Sequence, residues 1–188
     1  DLVLATGGGA MVHAAYSSGS PALGVGVGNA VITVDDTADL DAAAEKIHLS
    51  KTLDLAASCS SDNSVVLLDG IYEPMLEKLK AQGGYLCNEE EKAALRNTLW
   101  DEELHLNTAI VAQPPEKIAQ MAGLSIPEET KFFIVPEEGW GPEHPFSGEK
   151  LSVIMALYRA RDIDHAIELT QNIQAYQGQG HSCGIYSS

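Results

Sequence analysis

Residues 51–66 read KTLDLAASCSSDNSVV, a stretch that enters as one kind of element and leaves as another. Leu40, Ala43, Ala44 and Ile47 precede it at helical spacing, with cap candidates in Asp36-Thr37-Ala38-Asp39. The run Val65-Val66-Leu67-Leu68 follows as a strand, so Cys59 sits in a loop between a helix and a strand. Ser58, Ser60 and Ser61 leave room beside the thiol, and amides near it are placed to stabilise an oxyanion formed when a thiolate attacks a carbonyl. The plain alternative is a cysteine that fills core, where free cysteines are common.

The same alternation runs outward in both directions. Residues 1–6 read as a strand, Gly7-Gly8-Gly9 as a turn, and Met11, Val12, Ala15 and Tyr16 as a helix face. Such a turn either brings a nucleotide close to the backbone or is a tight turn and nothing more. In Pro21-Ala22-Leu23-Gly24-Val25-Gly26-Val27-Gly28-Asn29, glycine alternates with apolar residues. That strips one strand face of side chains, as happens where a backbone or a flat ligand passes over it. The spacing is not that of a dinucleotide fingerprint.

Beyond a strand over 30–35 and the Cys59 loop, a helix runs to Leu79 with Tyr72, Leu76 and Leu79 inward, and Gly83-Gly84 ends it. Asn88 caps a helix through Leu99 and Trp100, with Glu89-Glu90-Glu91 in its first turn. Pro114-Pro115 opens a short helix, Phe132–Val135 is a strand, and residues 136–150 form a long ordered loop. A strand over Leu151–Arg159, a helix over Ile163–Tyr176 with Ala166, Ile167, Leu169 and Ile173 inward, and a final strand through Tyr186 complete the order. Strands alternating with helices imply an α/β fold with a mainly parallel sheet flanked by helices.

The 188 residues suffice for a core of ordinary size, and a 45% hydrophobic share is that of a globular chain. A net charge of −16 repels nucleic acid and anionic lipid surfaces, so neither is expected as a partner. The three cysteines (Cys59, Cys87, Cys183) make no disulfide framework and no C-x-x-C pair, which points to a reducing cytoplasm and no metal site. No segment is long and apolar enough to span a bilayer, and no basic region precedes an apolar run as in a signal peptide. Asp1-Leu2-Val3-Leu4 opens directly as a strand without an initiator Met, as expected of part of a longer polypeptide.

Four segments in this order resemble one family, the CoA-acylating branch of the aldehyde dehydrogenase superfamily. They are Ala5-Thr6-Gly7-Gly8 with Met11-Val12 and Ala15-Tyr16, then Pro21–Asn29, then the Cys59 loop, then His144–Ser152 followed by Gly180-His181-Ser182. The resemblance covers essentially the whole chain, although a family subunit is more than twice as long. It implies that residues 1–30 are the C-terminal remnant of a Rossmann-like cofactor domain, and that residues 31–188 are a catalytic domain incomplete at its C-terminus. It further implies Cys59 as a nucleophile forming a thiohemiacetal and then a thioester. Thr6, Gly7, Gly8, Val25, Gly26 and Glu149 are implied around NAD or NADP, with Glu149 accepting from ribose hydroxyls.

Val25 departs from the hydrolytic members of the family, which carry there a glutamate that activates water. Valine cannot accept a proton, so a thiol, that of coenzyme A, is the implied acyl acceptor. His181, in a G-H-S segment similar to the branch's G-H-T, is implied to deprotonate that thiol, although a histidine at a strand start is also a common structural feature. The resemblance makes the full-length enzyme a cytoplasmic homo-oligomer acting on a small aldehyde. The S-C-S-S-D-N loop and the Tyr176–Gly184 tail look more like acylating sulfoacetaldehyde dehydrogenases than like acetaldehyde or propionaldehyde enzymes. There is also similarity to the acetaldehyde dehydrogenase domains of bifunctional aldehyde-alcohol dehydrogenases. A hydrolytic dehydrogenase using another base, or a truncated non-catalytic domain, are the alternatives. A sulfonate needs a cationic or amide-rich pocket, and the sequence does not point to the residues that supply it.

Overall fold

A computed structural model describes residues 1–188. Two parallel sheets follow one another along the chain. In the first, β1 (Val3–Thr6) and β2 (Ala22–Val25) pair in register through the helix α1 (Gly9–Tyr16). Of the alternating glycines, Gly24 is explained by a helix passing over it. A Cβ on Gly24 would lie 2.5 Å from Val12 Cγ1, and Gly24 N donates to the Tyr16 hydroxyl, so glycine lets α1 pack directly on β2. The opposite face, with Leu4 and Leu23, is exposed.

The second sheet contains β3 (Ala30–Val34), β4 (Asp62–Leu68), β5 (Gly84–Leu86), β6 (Phe132–Pro136), β7 (Ile154–Ala160) and β8 (Cys183–Tyr186). Their order is β5-β6-β7-β4-β3-β8, and every pairing is parallel. Parallel strands are buried on both faces, and β4, β6 and β7 are almost wholly inaccessible, with β4 apolar from Val65 onward. The helices α2 (Leu40–Thr52), α3 (Tyr72–Ala81), α4 (Glu89–Leu99), α5 (Pro115–Ala122) and α6 (Ile163–Tyr176) supply the covering layers. Asp39 caps α2 with its side chain, and Asn88 and Glu91 form a reciprocal capping box at α4.

Several boundaries differ from the sequence expectation, each for a local reason. β4 begins at Asp62 rather than Val65, because Asp62–Ser64 already pair with Ala30 and Val31 of β3. β7 begins at Ile154 rather than Leu151, whose φ of 44° is left-handed and breaks the extended chain. Gly84, expected to end a helix, instead opens β5, and a Cβ there would strike Ile134 Cδ1 and Leu79 O. Ile167, expected inward on α6, is exposed, whereas Met75 on α3 is fully buried. The acidic first turn of α4 is not wholly solvated, since Glu91 caps the helix and accepts from the Tyr85 hydroxyl.

Candidate functional site

The topology decides where the chemistry-bearing residues meet. In the sheet, β7, β4, β3 and β8 are consecutive neighbours and point the same way. Residues just before their N-termini therefore gather at one edge: Glu149 before β7, Cys59 before β4, Gly28 before β3 and His181 before β8. The carboxyl ends of β1 and β2, at Thr6 and Val25, face that edge across a cavity of about 430 Å³. Thr6, Gly7 and Gly8 line it on one side with Val25 and Gly26, and Cys59, Glu149 and His181 line the other. All eight residues singled out in the sequence thus share one cavity.

Cys59 is exposed and held by its backbone. Asp54, Leu55 and Ala56 all take left-handed φ of 49°, 52° and 57°, a conformation that costs a non-glycine residue about 1–2 kcal/mol. This reverses the chain out of α2. A tight turn follows in which Ser61 N donates to Ser58 O, while the Ser58 and Ser60 hydroxyls lie 2.9 Å apart. At the foot of the turn Asp62 N donates to Ser50 Oγ, tying the start of β4 to α2. Beneath it lies Lys51, fully buried. Burial drives its ammonium down to about 7 and raises the Asp62 carboxyl to about 6.

Gly28 is the narrow point of the site. A Cβ there would lie 2.7 Å from both the Cβ and the carbonyl oxygen of Cys59 and 2.9 Å from Glu149 Oε1, so the nucleophile candidate and the carboxylate approach each other across a bare backbone. Gly28 N donates to Glu149 Oε1 at 3.1 Å. Burial raises the Glu149 carboxyl above its ordinary range, against the lowering pull of that amide and of Lys150. A carboxyl raised on folding binds its proton more tightly in the folded protein. Its contribution to stability is therefore full below the unfolded value and declines as pH rises through the folded one. Glu149→Gln keeps an oxygen acceptor for Gly28 N and removes the buried charge. The expected outcome is a thermal unfolding midpoint that falls less than wild type's as pH rises from about 4 to 8.

A set of buried amides that the sequence reading missed holds these pieces in place. Asn29 Nδ2 donates to Ser147 O and Gln177 O, and Asn29 Oδ1 accepts from Asn63 Nδ2, which also donates to Gly148 O. Glu149 N donates to Gln177 Oε1. Lys150, next to Glu149, is fully buried and donates to Phe146 O and Gly148 O; burial holds its ammonium far below the usual range. One sign of this network is legible: Asp62-Asn63-Ser64 places three polar residues directly against the apolar run Val65–Leu68 that must be buried. His181 Nδ1 lies 2.9 Å from Ser182 Oγ. No group of three or more metal-ligating side chains occurs, and no helix is long and apolar enough to cross a membrane.

The glycines suit a flat ligand. A Cβ on Gly8 or on Gly26 would meet nothing within 4 Å, so the backbone offers an open face between the two sheets beside Glu149. Ligands of α/β sheets commonly bind at the carboxyl ends of strands, which is where Thr6–Gly8 and Val25–Gly26 stand.

No protein-family model matches the chain. Over its whole length it is 45% identical to the acylating sulfoacetaldehyde dehydrogenase of Cupriavidus necator, of which it spans 38%. It is 43% identical, again throughout, to the bifunctional aldehyde-alcohol dehydrogenase of Escherichia coli, of which it spans 21%. Among solved structures, an acetylating aldehyde dehydrogenase from Geobacillus thermoglucosidasius matches all of the chain with a TM-score of 0.97 and 40% identity, over 41% of its own length. A Rhodopseudomonas palustris propionaldehyde dehydrogenase with bound CoA and an acylated cysteine gives 0.89 and 25%, over all of this chain and 42% of that one. Along all 188 residues the fold and the sequence resemble those of aldehyde dehydrogenases, of which the chain spans less than half the length. Within it, the likeness is to the acylating enzymes.

Proposed function

We propose that the full-length protein oxidises a small aldehyde to its acyl-CoA, with Cys59 as nucleophile and NAD(P) as hydride acceptor. In this reading residues 1–30 belong to the cofactor domain and residues 31–188 to the catalytic domain. The observation that carries it is the composition of the Cys59 cavity, where Val25 stands in the lining and Glu149 is the sole carboxylate, already engaged by Gly28 N. No free carboxylate there stands ready to activate water, and the one remaining base in the lining, His181, suits the proton of an incoming thiol, so the acyl group on Cys59 awaits that better nucleophile.

The residues then act in order. The Cys59 thiolate adds to the aldehyde carbon. A nicotinamide dinucleotide, when bound, accepts the hydride that converts the thiohemiacetal on Cys59 to a thioester. Thr6, Gly7, Gly8, Val25 and Gly26 form the open face that would hold its ring, and Glu149 would accept from its ribose hydroxyls. His181 takes the proton of the coenzyme A thiol, whose sulfur attacks the thioester and releases Cys59. The acylated cysteine and bound CoA of the Rhodopseudomonas palustris enzyme support the same sequence of events here. The 45% identity to the Cupriavidus necator enzyme favours sulfoacetaldehyde as the aldehyde.

The test supplies the full-length protein with aldehyde and NAD(P), with and without CoA. The expected result is acyl-CoA formation and a rate that depends on CoA. Free acid formed at full rate without CoA would instead favour a hydrolytic dehydrogenase using another base and overturn the acylating reading.

A further inference from the structure

A second cavity, of about 560 Å³, adjoins the first and shares Val25, Gly26, Val27 and His181 with it. Its far wall is the turn from Tyr176 to His181 that joins α6 to β8. In a chain with 27 acidic residues, none lines this cavity. The N–H groups of Gly178, Gln179 and Gly180 donate to no acceptor in the protein, whereas those on either side are taken, Gln177 N by Ile173 O and His181 N by Gly178 O. Gly178 and Gly180 have left-handed φ of 84° and 78°, flanking Gln179. Successive amides in turns of this kind form concave donor sets that hold anions.

The turn is also fixed before any ligand arrives. Asn29 Nδ2 donates to Gln177 O, Gln177 Oε1 accepts from Glu149 N, and a Cβ on Gly178 would lie 2.5 Å from Asn29 Cβ, so the backbone is seated directly on a buried side chain. Donors held in place lose little freedom on binding. A net charge of −16 opposes any anionic ligand, and a local set of amide donors beside His181 is the feature that offsets this.

We propose that the Gln177–His181 turn is a seat for a small strong-acid anion, a sulfonate or phosphate group carried by a substrate that reacts at Cys59. The inference rests on the acylating reading above and deepens it. The aldehyde carbon lies at Cys59, and the anionic end reaches past His181 into the second cavity.

Gln179 is exposed and makes no side-chain hydrogen bond, so Gln179→Glu and Gln179→Lys test the seat without disturbing its supports. In the full-length enzyme Gln179→Glu is expected to raise KM roughly tenfold for the ligand whose anion occupies the seat, with Gln179→Lys leaving it equal or lower. Sulfoacetaldehyde against propionaldehyde reads out a sulfonate on the aldehyde; CoA against pantetheine reads out a phosphate on the thiol. Equal shifts for charged and uncharged members of both pairs, or none, overturn the seat. If the wild-type enzyme shows no aldehyde-dependent reduction of NAD(P), the parent reading fails separately. The seat is then decided by the backbone amide shifts of residues 178–180 on titrating 2-hydroxyethanesulfonate, with ethylene glycol as the neutral control. Saturable shifts with the sulfonate alone support it, and their absence overturns it.

Discussion

Cys59→Ala in the full-length enzyme is expected to lower kcat by at least ~10⁴-fold, the scale seen when a covalent nucleophile is removed from a site that acts as a unit. Stability should change by no more than about 1 kcal/mol, because Cys59 is exposed on a turn whose hydrogen bonds come from Ser58, Ser60 and Ser61 and not from the thiol. Turnover assays and denaturant unfolding read the two quantities independently. Brief iodoacetamide labelling supplies a third, since Cys87 is buried and its thiol pushed up to about 12, so it should remain unmodified while Cys59 reacts. A variant that loses stability and keeps activity would return Cys59 to the role of packing residue.

The second large effect is expected at Gly28, which carries no chemistry. Gly28→Ala would place a methyl carbon 2.7 Å from the backbone oxygen of Cys59, a contact that no side-chain rotation relieves. Either the Cys59 turn or the Gly28 segment must move, and the donor to Glu149 Oε1 moves with it. Misplacement on the order of 1 Å costs a reaction of this kind about 10²-fold, so kcat/KM should fall by at least that factor. The melting temperature should fall by several degrees at the same time. Gly26→Ala is the stability control, because a Cβ there meets nothing within 4 Å and the melting temperature should be unchanged. Equal melting temperatures for the two variants would contradict the packing described here.

Much of the architecture is legible from periodicity because its elements are buried in the simplest way. The α6 limits, Ile163–Tyr176, follow directly from the apolar spacing, and β6 follows from Phe132–Val135. The expectations that fail are local. Leu151 breaks a strand through its own φ, and β5 is three residues that exist as a strand because β6 is beside them. Ile167 has the right spacing to point inward, yet nothing covers that side of α6. Asn29, Asn63 and Gln177 act through partners far apart in sequence, and no local pattern marks such pairs.

By itself the sequence determined the element types, the parallel sheet, the cysteine loop and the absence of a proton acceptor at Val25, since each depends on residue identity and on spacing along one segment. Tertiary structure alone decided that these residues share a cavity. That depends on the strand order, which sets β7, β4, β3 and β8 side by side and so brings Glu149, Cys59, Gly28 and His181 to a common edge. It also depends on Gly28 lacking a side chain at the one point where Cys59 and Glu149 approach. Strand order is a long-range packing outcome, fixed by which apolar faces bury one another, and spacing within any single segment does not encode it.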